Sequence, residues 1–403
     1  MANSAASDRH TVGNVYRRSA AYDLAQGIVQ ASVGVRLIPA ALEGLNMRVS
    51  TLANLGAKHA RNSFSEALYL RGGPDLTRPV MVYGLFNERC NVKCRQCNYW
   101  RLPAYQPEMS IDEWKHALLS IKSFLGQYFI SFSGGEPFLK HGFLNILEFC
   151  RDNGIHSGVT TSGSCFTAKT SGRLTAARPF NVAVSVDAPG ATLHDYLRGL
   201  PGLFDRITTG IEQIQQEQRK LHCYFPIIIR CVVHALNYRL LPEMVAFTEK
   251  IGANSISFQP ITPETQEGRT ELWLNDDQHS ELKGVVDELL SLKRRGAPIL
   301  NPELQLALFP THFRSELAPE SLPRCKIGLR NLHVTSNGDV KLCLEYPPIG
   351  NIRNLSAKDI WHSDRAQVQR RQSVSCHMLC LAGCTAPKSL SEKIRMGMRL
   401  LKS

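Results

Sequence analysis

The chain has 403 residues, enough to bury a large core and to form two or three domains. Hydrophobic content of 43% and charged content of 20% exclude an intrinsically disordered chain, and no uninterrupted apolar stretch reaches the length that spans a bilayer. The net charge of +12 at pH 7 points to anionic partners, such as phosphorylated small molecules, nucleotides or acidic headgroups, without naming one.

Residues 1–78 read as a helical N-terminal extension. Apolar residues recur at helical spacing through Tyr22 to Leu45 and again through Phe64 to Leu70. The segment Met1 to Tyr16 is polar and charged and lacks the layout of a secretory signal, so a cytoplasmic location is expected. Arg71-Gly72-Gly73-Pro74 reads as the linker that closes this region.

A regular alternation follows over 79–300. Apolar and β-branched runs predict strands at 79–86, 128–133, 156–161, 181–187, 226–234 and 254–261. Helical patterns lie at about 110–126, 140–153, 167–177, 202–220, 239–251 and 275–295. Strand and helix in alternation predict an α/β fold, a parallel sheet with helices packed outside it.

From 301 the pattern changes to loops, prolines and cysteines. Val334 to Leu342 reads as a β-hairpin with Asn337-Gly338 at the turn. Residues 301–387 are expected to form a small cysteine-dependent domain, and 388–403 a basic tail. In that tail Lys388, Lys393, Arg395, Arg399 and Lys402 face one acid, Glu392, with apolar residues between. A solvated terminal helix is the expected form, and peripheral membrane contact is the alternative.

The chain has twelve cysteines, and they are unevenly placed. Cys150, Cys165, Cys223 and Cys231 stand singly and read as apolar filler. Cys90, Cys94 and Cys97 form one set; Cys325, Cys343, Cys376, Cys380 and Cys384 form another. In a reducing compartment clustered thiols read as metal ligands. Three cysteines in eight residues can hold three irons of a [4Fe–4S] cube and leave the fourth open, with structural zinc as the alternative.

Ligands of parallel α/β folds bind at the C-terminal ends of the strands. Strand one runs into the cysteine loop, and strand two into Ser133-Gly134-Gly135-Glu136-Pro137. Strand three ends in Thr160-Thr161-Ser162-Gly163, and strand four carries Ser185 and Asp187 into Ala188-Pro189-Gly190. All four polar segments are expected on one rim.

With these motifs the chain resembles the radical S-adenosylmethionine (radical SAM) superfamily over roughly 79–300. The resemblance implies a partial (β/α)6 TIM-type barrel and a [4Fe–4S] cluster ligated by Cys90, Cys94 and Cys97, whose open iron takes the amino and carboxylate groups of S-adenosylmethionine. It further implies that Gly134, Gly135, Glu136, Thr161, Ser185, Asp187 and Arg198 bind the cofactor: the two glycines admit backbone close to that amino group, Ser185 hydrogen-bonds the cofactor, and Arg198 pairs with its carboxylate. Gln259 and Ile261 would approach the adenine. One departure stands out: where such enzymes place an aromatic residue before the third cysteine, this chain has Gln96, so Tyr99 and Trp100 are left to supply the stacking surface.

Cys325, twelve residues, Gly338, four residues and Cys343 resemble the start of a SPASM/twitch extension, which Cys376, Cys380 and Cys384 would complete. Five cysteines fall short of the ligands for two cubes, so one auxiliary [4Fe–4S] cluster is expected, with zinc as the alternative. Which four cysteines bind stays open, because a continuous helix over 376–384 would set its end cysteines about 12 Å apart. His312, His333 and His377 read as surface or packing residues.

The expected activity is reductive cleavage of S-adenosylmethionine to a 5′-deoxyadenosyl radical that abstracts hydrogen from a small molecule, an anionic sugar, nucleoside or lipid intermediate. An external donor of flavodoxin or ferredoxin type supplies the electron, and the auxiliary cluster assists oxidation or substrate binding. The alternatives are a radical enzyme that modifies ribosomal peptides and a non-enzymatic iron–sulfur or zinc scaffold; nucleic acid is not an expected partner.

Overall fold

The computed structural model describes residues 38–101, 107–262, 270–315 and 325–381. Six strands, β1 (Met81–Asn87), β2 (Phe129–Gly134), β3 (His156–Thr161), β4 (Asn181–Ser185), β5 (Ile227–Val233) and β6 (Ser255–Pro260), pair in chain order, each parallel to the next. Helix α1 (Ile38–Leu70) precedes them. Between and after them come α2 (Ile111–Leu125), α3 (Phe143–Asp152), α4 (Ala168–Ala176), α5 (Ala191–Arg198), α6 (Leu203–Lys220), α7 (Leu241–Lys250) and α8 (Asp276–Arg294). The parallel sheet is the one expected from the alternation, and the whole is the partial (β/α)6 barrel that the resemblance implies.

Side-chain alternation along the strands separates two faces. Val82, Phe86, Ile130 and Phe132 are fully buried on the outer face, where Phe86 meets Trp114 of α2 at 5.1 Å and Phe143 of α3 at 4.8 Å between ring centroids. Such pairs add roughly 0.5–1.5 kcal/mol each beyond their burial. Tyr83, Leu85, Ser131 and Ser133 point inward and line a cavity of about 1140 Å³. Helix α2 starts where Ser110 and Glu113 exchange hydrogen bonds in a capping box and stops at Gly126, whose φ is +67°.

The 301–387 segment is joined to the barrel more tightly than its change of composition suggests. Strand β7 (Asn331–Val334) pairs parallel with the free edge of β1, and β8 (Asp339–Lys341) and β9 (Gly350–Asn351) continue antiparallel, giving one nine-stranded sheet. The expected hairpin is present: Thr335 N–H donates to Asp339 O at 2.9 Å, and Gly338 takes φ +88° at the turn. Among the described residues of this part lie four short helices, α9 (Glu303–Ala307), α10 (Phe309–Phe313), α11 (Ala357–His362) and α12 (Asp364–Val374). The chain leaves α12 before Cys376, so Cys376 to Leu381 is not helical. Cys384 and the basic tail 388–403 lie outside the described residues, as does the early apolar pattern before Ile38. No helix among the described residues is long and apolar enough to cross a membrane.

The C-terminal half of α1 is tied to the sheet by polar contacts. Lys58 Nζ donates to Leu125 O at 2.7 Å and to Gln127 O, at the C-terminal end of α2. Asn62 accepts from Arg78 N–H and donates to Leu329 O. Glu66, only 1% exposed, takes a fork from Arg330 Nε and Nη2 at 2.6 Å each. Arg330 O in turn accepts from Val80 N–H at the head of β1. Removing one partner of a buried ion pair strands the other charge, at a cost of about 3 kcal/mol or more. Glu66→Ala is therefore expected to lower amide hydrogen-exchange protection over Ile327–Val334 by about a hundredfold; unchanged protection there would show that the fork does not hold the segment.

Candidate functional site

The cysteine loop leaves the end of β1 and is clamped from two sides. Gly135 N–H donates to Asn87 O at 2.9 Å and Glu136 N–H to Arg89 O at 2.8 Å, while Asn87 Nδ2 donates to Glu136 O at 3.0 Å. A Cβ on Gly134 would stand 2.4 Å from Asn87 O, and one on Gly135 2.1 Å from Arg89 O. The two glycines are needed for this approach of backbone to backbone. On the other side Arg95 N–H donates to Leu197 O of α5 at 2.8 Å, and Gly199 (φ +64°) lies against Lys93 O.

Cys94 is buried, Cys90 and Cys97 half-buried, and their thiols lie within electrostatic reach of one another. Burial pushes the Cys90 thiol up to about 12, and the neighbouring thiols push the same way. Burial likewise raises Cys94, against the pull of the Arg198 guanidinium. Three thiols crowded in a desolvated loop ionise readily only around a bound cation. The donors are all sulfur, and the loop supplies three of the four corners of an iron–sulfur cube.

Behind this loop sits a fully buried carboxylate. Asp187 Oδ2 pairs with Arg198 Nε at 2.7 Å and accepts from Gln96 Nε2 at 2.5 Å, and its Oδ1 accepts from Val232 N–H of β5 at 2.9 Å. Asp187 N–H donates to His194 Nδ1, and Asn237 Nδ2 donates to Asp187 O. Burial alone would raise the Asp187 carboxyl; Arg198, His194, His234 and the Val232 amide outweigh it and hold it below the usual carboxylate range. Arg198, expected to pair with the carboxylate of S-adenosylmethionine, spends Nε on Asp187 and directs Nη1 to Cys94 Sγ at 3.6 Å.

The sequence departure at Gln96 now has a partner: its buried amide reaches Asp187. The indole of Trp100 donates to Cys94 O at 3.0 Å, and Arg101 lies 4.8 Å over its ring. Tyr99 N–H donates to Cys97 Sγ at 3.3 Å. Glu136 is fully buried and accepts from Thr161 Oγ1 at 2.8 Å and from Ser162 N–H and Oγ at 2.8 and 2.6 Å. Burial raises its carboxyl, the hydrogen bonds opposing. Glu136 and Thr161 therefore lock the ends of β2 and β3 to each other. Ser185 closes β4, in register with Arg230 of β5.

The second cysteine set gathers as well. Cys325 lies within electrostatic reach of Cys343, Cys376 and Cys380, and burial lifts its thiol to about 12. Tyr346 hydrogen-bonds the Cys376 side chain, and burial lifts its hydroxyl to about 12. These four are the cysteines of the set that the described residues bring together. Their segment docks on the barrel through groups not foreseen as a latch. His312 bridges Leu379 O and Ile261 O at 2.8 Å each, Gln305 Nε2 donates to Leu381 O at 2.6 Å, and Gln259 Nε2 donates to Cys380 O at 3.4 Å. Gln259, expected near adenine, thus faces the cysteine segment. Of the single cysteines, Cys150, Cys223 and Cys231 are buried as expected and Cys165 is half-buried. Among the described residues no three His, Cys, Asp or Glu side chains close tightly enough to grip a single metal ion.

Comparison with known proteins agrees with this geometry. Residues 85–272 match the model of the radical SAM superfamily, and residues 325–385 match the SPASM iron–sulfur cluster-binding domain. The AdoMet-dependent heme synthase of Methanosarcina barkeri is 25% identical over 306 residues, 73% of this chain and 84% of that one. The PqqA peptide cyclase of Xanthomonas euvesicatoria is 24% identical over 315 residues, 76% and 80% of the two chains. Streptococcus suis SuiB bound to S-adenosylmethionine shares the fold, with a TM-score of 0.58 at 18% identity over 77% of this chain and 73% of its own. The cysteine loop, the Gly-Gly-Glu-Pro clamp and these matches lead to one conclusion: the chain is an enzyme of the radical SAM superfamily, with a [4Fe–4S] cluster and S-adenosylmethionine as cofactors and a C-terminal SPASM-type domain for auxiliary iron–sulfur.

Proposed function

We propose that the chain uses its barrel, residues 79–300, to generate a 5′-deoxyadenosyl radical and to abstract hydrogen from a small organic molecule. The observation that carries this is the convergence of Cys90, Cys94 and Cys97 with the Gly134–Glu136 backbone and the Asp187–Arg198 pair at one rim. When bound to those three thiolates, a [4Fe–4S] cluster supplies the single electron that splits S-adenosylmethionine into methionine and the radical. The protein's own part is to hold and orient. Cys90, Cys94 and Cys97 would hold the cluster through three thiolates, one short of a full set, so that the amino and carboxylate groups of the cofactor could bind. Gly134 and Gly135 let the cysteine loop close against the end of β2, and Ser185 offers a hydroxyl at the end of β4. Glu136, Thr161, Asp187 and Arg198 act as positioning residues that fix the surrounding loops.

Cys325, Cys343, Cys376 and Cys380 suit one auxiliary cube, which assists substrate oxidation or binding, and a small reduced iron–sulfur or flavin protein serves as the external electron donor. The clustered cysteines suit a reducing, cytoplasmic location. The names of the similar PqqA peptide cyclases favour one second reading, modification of a peptide by the same radical chemistry.

Anaerobic reconstitution is expected to give about eight irons per chain, two cubes; a count near four would remove the auxiliary cluster. Reductant with S-adenosylmethionine is expected to release 5′-deoxyadenosine, and Cys94→Ala to abolish the release. Release that persisted in Cys94→Ala would refute the ligand assignment.

A further inference from the structure

The three sulfurs of the first cysteine set do not meet equal surroundings. Cys97 Sγ accepts from the Tyr99 amide at 3.3 Å, and the Cys90 sulfur accepts from the Val92 amide. Both donors are amides two positions along, and such contacts follow from the turn of the loop itself. Cys94 Sγ instead accepts from Arg198 Nη1 at 3.6 Å, a charged donor 104 residues away in the chain. A brace between loops needs no donor on a cysteine sulfur, so this contact asks for a reason of its own.

The guanidinium is held in one orientation. Its Nε faces Asp187 Oδ2 at 2.7 Å, which directs Nη1 at the sulfur. Gln96 Nε2 and the Val232 amide donate to the same carboxylate and keep it in place. Arg198 is 7% exposed and Asp187 is fully buried, so water and salt screen neither charge well. The two charges oppose each other at Cys94, and the guanidinium in contact with the sulfur has the larger effect there. An iron–sulfur group becomes more negative by one charge when it gains an electron, and its potential follows local charge and the hydrogen bonds its sulfurs receive. A fixed cation on one sulfur therefore favours the reduced state, and a fixed anion nearby disfavours it.

We infer that Arg198 sets the reduction potential of the group held by Cys90, Cys94 and Cys97, raising it within reach of the external donor, while Asp187 limits the rise. This deepens the function proposed above and rests on its ligand assignment. Arg198 acts through Cys94 and is a positioning residue; the electron comes from the reduced donor protein, which is oxidised by one electron as the centre gains one.

Redox titration of the reconstituted holoenzyme, followed by electron paramagnetic resonance, tests the inference. The signal that changes on adding S-adenosylmethionine belongs to the first cysteine set, and the signal that does not change is the internal control. Arg198→Gln is expected to move the first midpoint to more negative potential. The expected size is about tenfold in the reduced-to-oxidised ratio at a fixed potential, about 60 mV for one electron. Arg198→Lys keeps the charge and is expected to recover most of that shift. Asp187→Asn removes the opposing charge and is expected to move the midpoint the other way, to less negative potential. The control signal is expected to stay in place throughout. A pair that only braces the loops would move both single variants in one direction, or neither. An unmoved midpoint in Arg198→Gln, or shifts of one sign in Arg198→Gln and Asp187→Asn, would overturn the inference. If Arg198→Gln binds too little iron to be read, the sign of the shift in Asp187→Asn decides alone. A wild type with no signal that responds to S-adenosylmethionine would instead remove the ligand assignment proposed above, and this inference with it.

Discussion

The buried ion pair of Asp187 and Arg198 is the interaction on which the centre rests. Two charges taken out of water are costly, and their attraction repays that cost only when the remaining polar positions are also filled. Here they are: the Val232 amide, the Gln96 amide and the Cys94 sulfur complete the set. The pair thereby joins four parts of the chain, the end of β4, β5, α5 and the cysteine loop. Its charge also matters locally, because a guanidinium beside Cys94 favours the thiolate that burial disfavours.

The same principle recurs at two smaller nodes. Glu136 spends a fully buried carboxylate on Thr161 and Ser162, so the tips of β2 and β3 cannot part. His312, Gln305 and Gln259 donate to or bridge the carbonyls of the second cysteine segment, and so hold an irregular stretch that has no helix or ladder of its own. In each case the loop is defined by buried polar side chains on regular elements, which is how a site on loops acquires the rigidity of the scaffold.

Much of this was legible in the sequence because the signals were periodic or chemically specific. The six strands and the long helices follow from alternating and helical apolar patterns, and the rim follows from the rule that ligands sit at strand C-termini. What escaped was short or long-range. Helices α9 and α10 occupy one turn or so each beside Pro302 and Pro310, and α12, rich in arginine and glutamine, has little apolar period to read. The parallel pairing of β7 with β1 joins residues about 250 positions apart, which no local pattern encodes. Gln96 read as a departure because its partner, Asp187, lies 91 residues along the chain.

That pairing of β7 with β1 carries a consequence for how the molecule can be divided. Strand β1 delivers the first cysteine loop, and its outer rim of N–H and C=O groups is covered by Asn331 to Val334. Cutting the chain after the barrel would uncover this ribbon, and a bare, unpaired β margin invites intermolecular sheet growth. The barrel half is therefore not a free-standing module: without Asn331 to Val334 the margin of its first strand lies open.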